Sequence, residues 1–153
     1  MRASIDLRSE AAELIRLQAF AETFASDSGL ADDERGRLLV ILEELFTNVV
    51  AHGYGGQFAA GSIVVALGCR RGVLTIDFVD DGPPFDPLVH SEPDLDAPPE
   101  QRPVGGLGIA IVRALADRAS YRREGQRNHL YLERRVAPAI KDVPPGDEKW
   151  SPG

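Results

Sequence analysis

The stretch Ile41-Leu42-Glu43-Glu44-Leu45-Phe46-Thr47-Asn48-Val49-Val50-Ala51-His52-Gly53-Tyr54 decides how this chain folds. Leu38, Leu42, Leu45, Phe46, Val49 and Val50 recur at helical spacing and form a stripe that should face a core. Two polar residues interrupt it. Glu44 and Asn48 are four residues apart, an advance of about 400°, so they share a face only ~40° out of line. A carboxylate and an amide oxygen held together beside an apolar stripe can bind a hydrated divalent cation and orient a water or hydroxyl. A solvated acidic helix face reads the same way in isolation, so the pair needs company.

Outward from that helix, Asp32 and Asp33 mark its start and His52-Gly53-Tyr54-Gly55-Gly56 its end. Before it, Ser4 to Leu7 suit a short strand. Ser9 reads as an N-cap, with Glu10 and Glu13 in the first turn of a helix carrying Leu14, Leu17, Ala21 and Phe24 and ending at Gly29. After it, Ser62–Cys69 and Val73–Val79 form a hairpin around Arg70-Arg71-Gly72. Asp80 to Val104 has no periodicity and holds seven of the eleven prolines. A structureless segment of that length inside a compact domain is usually functional or disordered. Gly105-Gly106-Leu107-Gly108 then opens a helix with Ile109, Ile111, Val112, Leu115 and Ala116. Strands near Ala119–Arg123 and Asn128–Val136 follow, with Gly125 between them. Paired strands separated by helices predict an α+β fold: a two-layer sandwich of one mostly antiparallel, mixed sheet with helices on one face. The expected domain spans residues 1–136, and 137–153 read as a flexible C-terminal tail.

Composition narrows the function. A chain of 153 residues, 43% hydrophobic and 27% charged, suits one soluble domain. The net charge of −7 argues against nucleic acid as a direct partner. The only lysines are Lys141 and Lys149, and no G-x-x-x-x-G-K-[ST] phosphate loop occurs. Cys69 is the single cysteine, which leaves no intrachain disulfide or cysteine zinc cluster. No long apolar segment suggests a membrane, and the expected compartment is the cytoplasm.

Two further constellations join Glu44 and Asn48. Asp80-Asp81-Gly82-Pro83-Pro84-Phe85-Asp86-Pro87 follows a strand directly. A carboxylate at a strand end can accept a hydrogen bond from an exocyclic amine such as N6 of adenine, and Gly82 lets backbone approach a flat ring. The plain alternative is a proline-rich turn. Gly105, Gly106, Leu107 and Gly108 sit at a helix N-terminus, where unpaired N–H groups and the helix dipole favour phosphate. Their spacing is not that of a dinucleotide-binding βαβ unit. A flexible loop end is the alternative here.

The order of the three elements resembles the Bergerat-fold ATPases, with an E-x-x-x-N helix, a D-x-G turn and a G-x-G helix start. The ending Thr47-Asn48-(x)3-His52-Gly53-Tyr54, the Asp81-Gly82-Pro83-Pro84-Phe85-Asp86-Pro87 loop and the Gly105-Gly106-Leu107-Gly108-Ile109 segment are most similar to serine-kinase anti-sigma factors of bacterial partner-switching systems. That resemblance implies ATP and Mg²⁺ as ligands. It implies Asn48 as the Mg²⁺ ligand, Glu44 as the general base, Asp80 and Gly82 as the adenine site, and Gly106 and Gly108 as phosphate contacts. Residues 87–104 would form a lid. Pro84 stands where the superfamily often has a second glycine, which implies a stiffer hinge. Asn128-His129 stands where Gly-Thr is common, and no role is carried onto it. Arg16 roughly matches a partner-contacting arginine of the first helix. The implied partners are a STAS-type anti-sigma factor antagonist, as phosphoacceptor, and a sigma factor or other sequestered regulator. A homodimer is an arrangement found among relatives.

The remaining polar residues carry less. His52 suits a helix end, and His90 and His129 lack metal-ligand spacing. Glu43 points ~100° away from Glu44. Arg102, just before the glycines, is placed to reach a γ-phosphate or to be a solvated lid arginine. The readings that compete with a protein kinase are a nucleotide-gated binding module without phosphotransfer, the ATP-binding piece of a histidine kinase, and a structural domain that binds no nucleotide.

Overall fold

A computed structural model describes residues 1–53, 61–89 and 106–137. The elements run β1 (Arg2–Arg8), a 3-10 turn (Ala11–Glu13), α1 (Leu14–Asp27), α2 (Asp32–Asn48), a π turn (Val49–Gly53), β2 (Ser62–Arg70), β3 (Val73–Asp80), α3 (Gly106–Leu115), β4 (Arg118–Glu124) and β5 (Arg127–Arg135). The sheet order is β1-β2-β3-β5-β4. All four pairings are antiparallel, where the sequence left room for a mixed sheet. The fold is the α+β sandwich that the patterning predicts.

Alternation along the strands explains the layering. Ile63, Val65 and Leu67 of β2, Leu74, Ile76 and Phe78 of β3, and Leu130 and Leu132 of β5 are buried, while the residues between them are half-exposed. Cross-strand partners such as Val65 with Phe78 and Phe78 with Leu130 put these side chains on one face. Leu17, Ala21 and Phe24 of α1, Leu38, Ile41, Leu42, Leu45 and Phe46 of α2, and Ile109 and Val112 of α3 complete the core. Among the described residues, no helix is long and apolar enough to cross a membrane.

The turns follow from their residues. Gly29 has φ +65, its N–H bonds to Ser26, and the Leu30 N–H bonds to Ala25, the paired bonds that close a helix at a left-handed glycine. Arg71 (φ 52) and Gly72 (φ 73) form the two-residue turn of the β2–β3 hairpin, in which Arg70 opposes Val73.

One local expectation is corrected. Ser9 does not cap α1: its N–H bonds to Gly61 O at 2.8 Å, which holds it in line with the sheet. The helix therefore starts later, through the 3-10 turn that follows an extended Glu10.

The N-terminus of α2 is fastened to β5, 100 positions further along the chain. Arg134 of β5 grips buried Glu34 with two bonds, Nε to Oε2 at 2.7 Å and Nη2 to Oε1 at 3.0 Å. Its Nη1 donates to Leu115 O at 2.7 Å, satisfying a carbonyl at the C-terminus of α3. The guanidinium holds the Glu34 carboxyl below its usual range. This link fixes α2, α3 and β5 together, and so sets where the polar residues of α2 and the mouth of α3 lie.

Candidate functional site

Glu44 and Asn48 are half-buried on the last two turns of α2, one turn apart, while Leu45 and Phe46 between them point into the core. Immediately after Asn48 the helix widens into the π turn Val49–Gly53. Such turns interrupt regular bonding and recur at functional sites.

The mouth of α3 meets this face. The helix begins at Gly106, and Gly108 is buried against the Glu44 carboxylate. A Cβ added to Gly108 would overlap Glu44 Oε2 and lie 2.9 Å from Glu44 Cδ. Glycine at this position leaves the Glu44 carboxylate where it lies, against the first turn of α3, whereas a larger residue would displace it. Two of the three sequence constellations are thereby in direct contact.

The third ends β3. Asp80 shares the inward parity of Leu74, Ile76 and Phe78 and is 7% exposed, facing the helical layer. Its Oδ1 accepts from Gly82 N–H at 2.9 Å and from Asn128 Nδ2 at 3.0 Å. Burial pushes its pKa above the usual aspartate value, although these two donors pull it down. Gly82 is buried in the turn that follows, and its N–H is the one that bonds to Asp80. Asp81 points elsewhere: it is exposed and accepts from Ser62 N–H at 2.9 Å, tying the turn to β2.

Asn128 is the residue that sequence reasoning passed over. It opposes Asp80 across β3 and β5 and is 5% exposed. Its Nδ2 donates to Asp80 and to Pro83 O at 2.9 Å. Its Oδ1 accepts from Phe85 N–H at 3.2 Å, Tyr121 OH at 2.6 Å and Arg123 Nη1 at 3.2 Å. Arg123 Nη1 also donates to Gly82 O at 2.7 Å. The available signal was a polar residue at an inward position of an apolar strand, in step with Leu130 and Leu132.

Arg16 lies on α1, exposed and paired with Glu13 at 2.6 Å. Arg102 and Gly105 fall outside the described residues, as do lid residues 90–104 and the tail from Pro138. Gly106 and Leu107 open α3 as expected.

Comparison with known proteins finds a matching family model, similar chains and a similar fold. A family model described as the histidine kinase-like ATPase domain matches residues 7–134. The serine/threonine-protein kinase BtrW of Bordetella bronchiseptica is 28% identical over 104 residues, covering 68% of this chain and 72% of that protein. The serine-protein kinase RsbW of Bacillus cereus is 29% identical over 117 residues, covering 74% and 71%. Among solved structures, the RsbU and RsbW domains of Rv1364c from Mycobacterium tuberculosis superpose with a TM-score of 0.64 at 19% identity. That match covers 91% of this chain and 34% of the longer protein, and it speaks to the fold.

Proposed function

Starting from the premise that the chain belongs to the histidine kinase-like ATPase domain family, we propose that it is an ATP- and Mg²⁺-dependent serine/threonine protein kinase. Its acceptor is a STAS-type anti-sigma factor antagonist, and it sequesters a sigma factor or another regulator. The contact between Gly108 and Glu44 carries this reading. It brings an acid that can take a hydroxyl proton against the helix mouth best suited to hold phosphate.

The residues fit the ligands. Asp80 has Oδ1 saturated by two donors, which leaves Oδ2 to accept from the 6-amino group of adenine. The N–H groups at the mouth of α3, around Gly106 and Gly108, would hold phosphate oxygens. Asn48 would hold Mg²⁺ through its amide oxygen, a sparse protein contribution that suits a cation retaining waters and phosphate ligands. Bound there, the cation would supply charge neutralisation for the triphosphate. Phosphoryl transfer asks the protein mainly for positioning and electrostatics. Glu44 would orient the incoming serine or threonine hydroxyl and accept its proton. Arg16, exposed on α1, would contact the partner protein, and Arg102 the γ-phosphate. Residues 87–104 would close over the nucleotide, residues 137–153 lie outside this kinase domain, and the cytoplasm is the expected setting.

The relatives named as serine and serine/threonine kinases support transfer over simple binding. Incubation with γ-labelled ATP, Mg²⁺ and a STAS-type protein tests it. Label on a serine or threonine of the partner is expected. Tight ATP binding with no label would mark a nucleotide-gated binding module without phosphotransfer.

A further inference from the structure

The hydrogen-bond hub at Asn128 extends this reading and rests on it. We propose that Asn128 is a positioning residue for base recognition: it fixes the Asp80 carboxylate and the 82–85 turn so that one carboxylate oxygen faces the 6-amino group of the nucleotide.

The amide orientation is set by its neighbours. On one side stand acceptors only, Asp80 Oδ1 at 3.0 Å and Pro83 O at 2.9 Å, with Gly82 O more distant at 3.5 Å. On the other stand the Phe85 N–H and the Arg123 guanidinium, which can only donate, and the Tyr121 hydroxyl. A flipped amide would set donor against donor and acceptor against acceptor, so one orientation survives. Nδ2 is thereby aimed at Asp80.

The consequence falls on Asp80. A buried carboxylate is costly unless its oxygens are matched with donors. Gly82 N–H and Asn128 Nδ2 both satisfy Oδ1, and neither takes Oδ2. The hub therefore assigns the two oxygens different duties, one structural and one open to a ligand. It also braces the turn over the same edge, through Phe85 N–H, Pro83 O and the Arg123 bond to Gly82 O. A leucine at residue 128 would match Leu130 and Leu132 in packing, but would leave Asp80 with a single donor and free to rotate.

The test compares ATP with purine riboside triphosphate, which lacks the 6-amino group, by calorimetric titration of the full chain. The wild type is expected to prefer ATP by about tenfold or more, the worth of one hydrogen bond to a charged group. Asn128→Ala should lose most of that preference by weakening ATP, and change the affinity for the analogue less than about twofold. In an Asp80→Asn background the same change should cost ATP almost nothing further, because its effect runs through the carboxylate.

Equal losses for both nucleotides would overturn the proposal as a folding effect, and so would an intact preference; either leaves the kinase reading standing. A wild type that binds neither nucleotide, or shows no preference, would sink the adenine reading of Asp80 and the proposal with it. Should Asn128→Ala not fold, Tyr121→Phe decides, since it removes one of the three donors to Asn128 Oδ1 from a half-exposed strand position. A preference reduced roughly two- to threefold supports the proposal, and an unchanged one overturns it.

Discussion

Asp80→Asn separates the contribution of one carboxylate to ligand binding from its contribution to stability, and the two should move in opposite directions. The substitution keeps the shape and one acceptor oxygen for Gly82 N–H and Asn128 Nδ2. It replaces the other oxygen with an amide NH₂ group, so a donor would face the donor of adenine. The loss of a charge-assisted bond is worth about 1.5–3 kcal/mol. That is roughly a 10- to 150-fold rise in Kd for ATP. The ligand-free protein should not suffer in parallel. Asp80 is 7% exposed and burial raises its pKa, so the folded state favours the protonated form. Its stabilising contribution is complete below the unfolded pKa and lost as pH rises through the raised folded value. At neutral pH the charge therefore opposes folding, and the amide should hold or raise Tm. Binding has the reverse sign, because the ionised form accepts from adenine: wild-type affinity should fall as pH drops through the raised pKa, and the amide variant should lack that step. Titration calorimetry across pH, with thermal melting of the free protein, reads both. Unchanged ATP affinity in the variant, or an affinity loss matched by a large fall in Tm, would refute the reasoning.

Three other substitutions test separate links. Glu44→Ala should lower phosphotransfer by about 10²- to 10⁴-fold, the usual worth of a general base, while nucleotide still binds; single-turnover transfer with labelled ATP reads it. Gly108→Ala would ordinarily strengthen a helix by up to ~1 kcal/mol. Here its methyl group displaces Glu44, so transfer should fall about 10²-fold with the fold intact by circular dichroism. Arg134→Ala leaves Glu34 buried with Arg37 as its remaining partner at 2.8 Å. It should cost about 3 kcal/mol in denaturant unfolding, at the lower end for a broken buried pair. Because the Glu34 pKa is depressed, that stability is present above its unfolded value and is lost as pH falls through the folded one, so the gap between wild type and variant should close in acid.

What local pattern governs was readable from the chain. The α2 stripe, the alternation in β2 and β3, and the glycines at positions 29, 72 and 125 with positive φ each depend on residues near in sequence. The three polar constellations were readable for the same reason, since each is a short run. Their contacts with distant residues were not. Gly108 meets Glu44, Asn128 meets Asp80, and Arg134 reaches Glu34 across 100 positions, because packing of the whole sheet and its helices brings them together. Ser9 failed as a cap for the same reason, as a bond to Gly61 outweighed the local preference. Asn128 was hidden by its residue type, which suggests a turn in isolation and becomes informative only once strand parity turns it inward.

Titration of the wild-type chain with ATP, in the presence of Mg²⁺ and again in its absence, reaches the centre of the account. One nucleotide per chain, bound saturably and far more weakly without the cation, is the expected result. Failure to bind ATP at millimolar concentration with Mg²⁺ present would contradict the proposal that α2, the end of β3 and the mouth of α3 converge on a single nucleotide.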